Sequence, residues 1–383
     1  MRSAAPHRIA YVIGELGKGG AEYQLHELLR HLDRERFEPR VFVLTEGGWW
    51  AEPIRRLGVR VDVIPRRRSA DLSRVRRLRA ALRAFAPHIL HTILFSANSY
   101  GRLAALRLGI PVVIAAERNT EPARLWQVLL ERLLDRVTDA YLVNCGAIAR
   151  ELVRRQRITP DKIHVIPNGI DLGRLPTFSL DRHAAREAAG LDPERRLVVQ
   201  VGRLTAQKDF PTFLRAAAQV MARVPDVDFV VVGEGEDGAA LETLAQRLGV
   251  GPRLRFAGLR HDVPLLLAGA DVLTLTSLFE GFPNVLLEAM ATGAVAVTTD
   301  VGGCLELVVA EETGLVVPPR APAAVAAAIE RVLRDPALAR RLALAARRRV
   351  EARFVVDVMA QRTMDTYRAL VCAQGGPTAV AAA

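Results

Sequence analysis

An apolar run, Leu197 to Val201, ends in Gly202-Arg203, and Lys208 follows five residues after the arginine. Glycine lets backbone approach a ligand closely, arginine supplies a planar fork and lysine a point charge, so the three can grip one anion. Two cations beyond the carboxyl end of a strand suit a diphosphate; the fragment alone fits solvated charges on a loop equally well. Further along stands Glu280-Gly281-Phe282-Pro283-Asn284-Val285-Leu286-Leu287-Glu288. Gly281 permits a tight turn, and Pro283 suits the first turn of a helix. Free N–H groups at Asn284 to Leu286 would then favour an anion. Glu288 falls on the same helical face as Asn284, one turn deeper, where a carboxylate can accept hydrogen bonds from vicinal hydroxyls such as those of a ribose. Capping or salt bridging is the alternative duty for Glu288. Glu280 stays in the loop, within reach of a sugar beyond the phosphates.

Such groups must be held at the carboxyl ends of a sheet, and the chain has the pattern of two. Apolar runs at Arg8–Gly14, Arg40–Thr45, Val59–Ile64, His88–Ile93, Val112–Ala116 and Ala140–Asn144 alternate with amphipathic stretches, the first a helix over Ala21–His31. This is the signature of a parallel, doubly wound α/β sheet. The pattern breaks at Pro167-Asn168-Gly169 and through Pro176, where a hinge is expected. A second series follows at Leu197–Val201, Phe229–Val232, Leu254–Phe256, Val272–Leu275, Ala294–Thr298 and Leu315–Val317, closed by helices over Pro322–Leu333 and Pro336–Ala352. The expected domains are 1–175, 176–352, and a final helix within 353–372 that packs back on the first. Two α/β halves joined by a hinge place a cleft at the carboxyl ends of both sheets.

A length of 383 residues supports two cores, and 50% apolar with 25% charged residues is ordinary globular composition. No stretch has the ~18 unbroken apolar residues of a membrane span, and the N-terminal apolar run reads as a strand and not a signal peptide. Cys145, Cys304 and Cys372 are too few and too scattered for a disulfide framework or zinc site, which points to a reducing cytosol. Residues 1–176 carry 30 Lys and Arg against 18 Asp and Glu, and the remainder 23 against 24. The whole formal excess of +11 therefore belongs to the first half, which suits an anionic partner. Arg66 to Arg83 holds eight arginines, with Leu72, Val75, Leu78 and Leu82 near helical spacing. A basic amphipathic helix of this kind can lie on the inner face of an anionic membrane. Trp49-Trp50 and the stretch from Trp126 to Leu134 would add apolar contact there; core packing is the alternative for each.

Gly202-Arg203 with Lys208, Val232-Gly-Glu-Gly235, Phe256-Ala-Gly258, Glu280 through Glu288, Met290-Ala-Thr-Gly293, Gly302-Gly303 with Glu306, and Thr313-Gly314 occur in one order at fixed spacing. This succession resembles the retaining glycosyltransferases of family 4. The resemblance implies the GT-B fold, two Rossmann-like domains with parallel sheets facing across a cleft, and an activated nucleotide-sugar as substrate. It implies no metal and no further cofactor. Arg203, Lys208 and Glu280 would be catalytic: the cations would bind the diphosphate, and Glu280 the donor sugar near the reacting carbon. Gly20, Gly202, Gly281, Phe282, Asn284, Val285 and Leu286 would line the donor by backbone, and Glu288 would bind the ribose. The donor base is expected to be uridine ahead of guanosine. The acceptor would be a glycan or lipid-linked sugar of cell-surface polysaccharide or glycolipid synthesis. Gly19-Gly20-Ala21-Glu22 resembles the family's N-terminal glycine loop, which places Gly19 and Glu22 on the acceptor side. His91, in Pro87-His88-Ile-Leu-His91, would lie near the cleft or serve as a core histidine. Many relatives carry a histidine where this chain reads Glu117-Arg118-Asn119, so Arg118, Asn119 or Glu117 must substitute.

Competing classes fit less well. Gly14, Gly17, Gly19 and Gly20 do not make the G-x-G-x-x-G of a dinucleotide enzyme, and no P-loop motif occurs. Asp226-Val-Asp228 precedes its strand and reads as a turn, not a metal site. With 5% aromatic residues and no stacking platform, nucleic acid is not an expected partner. An epimerase or phosphorylase of the same fold, or a non-catalytic transferase subunit, remains as the alternative.

Overall fold

A computed structural model describes residues 5–66, 71, 73–119, 124–179 and 181–375. The chain divides into two compact units, one running to Gly169 and resuming at Val356, the other spanning Ile170–Val355.

The first unit contains β1 (His7–Ile13), β2 (Phe37–Val43), β3 (Arg60–Val63), β4 (Ile89–Ile93), β5 (Val112–Glu117), β6 (Ala140–Val143) and β7 (Ile163–Val165). They form one sheet in the order β3-β2-β1-β4-β5-β6-β7, every pair parallel. In β1, Ile9, Tyr11 and Ile13 enter one apolar cluster while Ala10 and Val12 enter another. That alternation, with all five residues fully buried, explains why the strand reads as a continuous apolar run: helices cover both faces. β7 escaped the sequence reading because three half-exposed residues at a sheet edge carry no periodic signal. The last helix, Val356–Ala373, adds Val356, Met359, Tyr367 and Val371 to the cluster holding Ile9 and Tyr11.

In the second unit, β8 (Arg196–Val201), β9 (Val227–Val232), β10 (Leu254–Phe256), β11 (Val272–Leu275), β12 (Val295–Thr299) and β13 (Leu315–Val317) pair in parallel. Their order is β10-β9-β8-β11-β12-β13. The strand order reverses between β8 and β11, and a doubly wound sheet opens a crevice beyond the carboxyl ends of strands at such a point. Gly202 follows β8 directly, and Glu280 lies in the loop after β11.

The helix Ser73–Phe85 turns Leu78 and Leu82 into the core, and Arg74 is buried with its guanidinium over the Tyr100 ring. Its apolar side is therefore spent on packing; Arg67, Arg68 and Leu72 lie outside the described residues. Among the described residues no helix is long and apolar enough to cross a membrane.

Candidate active site

The loops after β8 and β11 are stitched together by short hydrogen bonds. The Gln200 amide donates to Thr276 Oγ1 at 2.9 Å, and the Thr276 hydroxyl donates to the Lys208 carbonyl at 2.9 Å. Gln207 Nε2 donates to the Phe279 carbonyl at 2.9 Å, and the Leu278 N–H returns to the Gln207 carbonyl at 2.8 Å. Lys208 and Glu280, 72 residues apart, consequently form an ion pair, and the Ser277 hydroxyl donates to Glu280 Oε1 at 2.6 Å. Glu280 is 6% exposed. The pair leaves the ammonium fixed in direction with its charge partly balanced, while Arg203, five residues earlier in the same loop, is exposed.

Glycines permit this closeness at two points. A Cβ on Gly233, which has φ +134°, would lie 2.0 Å from the Gly202 carbonyl oxygen, so the Gly233-Glu-Gly235 turn packs under the Gly202 loop as scaffold. A Cβ on Gly302, with φ +49°, would lie 1.8 Å from the Glu280 carbonyl oxygen. Gly302 thus braces the backbone that carries the carboxylate.

The helix Asn284–Thr292 begins one residue later than a proline-first helix would, because Pro283 is extended (ψ 116°) and sits at the N-cap; no side chain caps it. Its first turn stands at the positive end of the helix, but the Leu286 N–H, expected to be free, donates to the Pro283 carbonyl at 3.2 Å. Phe282 packs edge-on against Phe354 at 5.4 Å, and Leu286 is fully buried. These two can meet a ligand only through backbone. Val285 and Asn284 are half-buried, and Gly281 is buried. Glu288 makes no ion pair among the described residues, and burial pushes its carboxyl up to about 7. The side chain is partly accessible and densely surrounded.

In the first unit the loop between β1 and the helix Gly20–Arg30 holds Gly19 as N-cap, and a Cβ there would lie 2.2 Å from Glu22 Oε2. Burial lowers Arg118 to about 10, opposed by Tyr367 and then by the buried Glu22 carboxylate near the helix N-terminus. Arg118 Nη1 donates to Asn168 Oδ1 at 2.8 Å. Glu117 turns inward, where Asn98 Nδ2 donates to it at 2.6 Å; burial, with Glu131 nearby, pushes it up to about 7. Asn119 is exposed. Of the three residues expected to stand in for a histidine, Arg118 is the one whose charge feels Glu22 of the helix Gly20–Arg30.

His91 occupies the core. It is 1% exposed in β4, its Nδ1 is 2.6 Å from the Tyr367 hydroxyl, and burial with Arg118 nearby holds it down to about 3. A neutral imidazole beneath the last helix is the core histidine of the two readings. Only Asp226 precedes β9, and Asp228 is the second residue of that strand instead of part of a turn before it; the two pair with Arg196 (3.2 Å) and Arg195 (2.8 Å). No group of three or more His, Cys, Asp or Glu among the described residues is placed to hold a metal ion. Sequence reasoning missed Ser277 and Gln207, whose only linear signal was their closeness to Glu280 and Lys208. It also missed Gln24, which exchanges two hydrogen bonds with Gly169 at 2.8 and 3.1 Å.

The sequence matches two family models, "Glycosyltransferase Family 4" over residues 18–174 and "Glycosyl transferases group 1" over residues 181–349. The chain belongs to the family 4 glycosyltransferases and has their GT-B fold. It is 30% identical over 339 residues to a D-inositol 3-phosphate glycosyltransferase of Segniliparus rotundus, covering 84% of this chain and 74% of the relative. It is also 30% identical over 328 residues to an alpha-maltose-1-phosphate synthase of Mycolicibacterium smegmatis, covering 78% and 82%. Among solved structures, Anabaena HepE in complex with UDP and glucose superposes with a TM-score of 0.85 at 22% identity, over 95% of this chain and 100% of that one. The sucrose-phosphate synthase of Thermosynechococcus elongatus does so at 0.80 and 23%, over 96% and 100%.

Proposed function

We propose that this glycosyltransferase moves a hexosyl unit from a uridine-diphosphate sugar, with retained anomeric configuration and without a metal, to a glycan or lipid-linked acceptor of cell-surface polysaccharide or glycolipid synthesis. The observation that carries the reading is the group after β8 and β11: Arg203 exposed, Lys208 paired to Glu280, a helix N-terminus alongside, and Glu288 with no cation of its own. Arg203 and Lys208 offset the charge that develops on the leaving diphosphate as the anomeric C–O bond breaks. The acceptor oxygen forms the new bond on the same face, and its proton passes to the departing phosphate oxygen. Glu280, steadied by Ser277 and Lys208, faces the sugar; Glu288 accepts from the ribose hydroxyls. Gly20, Gly202, Gly281, Phe282, Asn284, Val285 and Leu286 contribute backbone to the donor. Gly19, Glu22, Arg118 and Asn119 make up the acceptor side. The uridine choice draws support from HepE, whose structure holds UDP and glucose.

Thermal-shift titration with UDP, GDP, ADP and NAD tests the donor, since a ligand of the folded state raises its stability by mass action. UDP should give the largest shift; a response to NAD alone would remove the transferase reading. Arg203→Ala should lower kcat by about 100-fold, the typical worth of one such donor, with the circular dichroism of the fold unchanged. Proton NMR of the product made from an α-linked donor should show an α-glycoside.

A further inference from the structure

The helix Leu125–Leu134 is apolar on two opposite sides. Val128 and Leu134 turn inward, with Glu131 between them bonded to the buried Arg102 at 2.6 and 2.5 Å. On the outer side Leu125, Trp126, Leu129 and Leu133 are 75%, 54%, 54% and 57% exposed. At about 100° per residue these four fall within an arc of about 100°, one continuous stripe. Trp126 meets the Phe95 ring edge-on at 5.5 Å, which props the indole at the surface. A water-facing helix side is ordinarily polar, so a stripe of three leucines and a tryptophan calls for a covering phase.

Arginine surrounds it. Arg132 and Arg136 are exposed on the same segment, and Arg150, Arg154, Arg155 and Arg157 are exposed on the adjoining one. The two segments are tied by Arg132 Nη2, which donates to the Arg155 carbonyl at 2.6 Å. Of the nearby acids, Glu131 is buried against Arg102, Asp135 pairs with Lys162 at 3.0 Å, and Glu151 pairs with Arg154 and Arg155 at 3.1 and 2.6 Å. Among the described residues of these two segments every acid is engaged, so the charge left open beside the apolar ridge is basic. Protein surfaces mix both signs, whereas an anionic bilayer offers one sign over an apolar interior.

We propose that this stripe seats on an anionic lipid surface, with the leucines and indole at the acyl boundary and the arginines on headgroup phosphates. The proposal is independent of donor and acceptor, because lipid binding is read without turnover.

The test is sedimentation of the full chain with vesicles of phosphatidylcholine alone and with about one-third phosphatidylglycerol. The chain should sediment with the anionic vesicles, less so as salt rises, and only weakly with the neutral ones. The double variant Leu129→Glu, Leu133→Glu changes exposed positions and should keep its circular dichroism. Its partition should fall by at least about tenfold, the worth of one leucine withdrawn from the acyl boundary. Equal binding to both vesicles, or a variant that binds as the parent does, overturns the proposal. So does a dimer in light scattering that the double variant abolishes while neither protein sediments with lipid: the stripe would then join two copies. Loss of the UDP response with intact lipid binding would count against the transferase reading alone.

Discussion

Replacing Glu288 by glutamine removes a carboxyl that burial pushes from its ordinary 4.5 up to about 7. The folded chain holds this proton up to about pH 7, whereas the unfolded chain releases it near 4.5. Within that window the unfolded state is the more ionised, so stability falls as pH rises and levels off above pH 7. At 1.36 kcal/mol per pH unit, the cost above pH 7 reaches about 3 kcal/mol. Water reaches part of the side chain, so this is an upper figure. Glutamine cannot ionise: Glu288→Gln should match the parent near pH 4 and exceed its stability by up to about 3 kcal/mol at pH 8. Urea denaturation of both proteins across that range gives the difference directly, and the other titrating groups cancel because both proteins share them. Ligand binding extends the argument. Ribose hydroxyls that donate to the carboxylate favour its charged form, so UDP should bind the parent more tightly as pH rises through 7, with proton release measurable by calorimetry in two buffers. The variant should lose both effects. Identical stability profiles for the two proteins would refute the desolvation of Glu288, and a UDP affinity of unchanged pH dependence would refute its role at the ribose.

Two further substitutions probe the scaffold. Gly302→Ala places a Cβ against the Glu280 carbonyl at positive φ; it should cost about 1–3 kcal/mol in backbone strain alone and lower kcat with it, and unchanged denaturation and turnover would show that the loop does not depend on this glycine. Arg102→Ala leaves the 2%-exposed Glu131 without its partner, which should cost about 3–5 kcal/mol in urea denaturation. Replacing both residues by leucine should recover most of that loss, and failure to recover would mean the pair also shapes the β5 end through Asn98 and Glu117.

The group proposed to bind the donor was legible as a group because its residues are local in sequence. Gly202, Arg203 and Lys208 share one loop, Glu280 to Glu288 share another, and each loop follows a strand whose apolar run marks it. The acceptor side was less legible. Glu117 ends β5 and Arg118 and Asn119 follow it directly, so sequence alone does not tell which side chain turns where, and only the partners Asn98 and Asn168 separate Glu117 from Arg118. His91 read two ways because a histidine in a strand looks the same whether it meets solvent or, as here, Tyr367 from a helix 276 residues later.

The sequence by itself determined the two parallel sheets and the family's glycine, arginine and glutamate motif, since strand and helix periodicity and glycine turns are properties of neighbouring residues. Tertiary structure decided what depends on distant ones. It brought Lys208 to Glu280 across the reversal in strand order and braced that loop with Gly302. It also settled which side of each amphipathic helix was spent on the core. The arginine-rich helix Ser73–Phe85 turned its leucines inward, while Leu125–Leu134, apolar on both sides, left one stripe facing out. Periodicity marks an apolar face; only packing says whether a sheet already covers it.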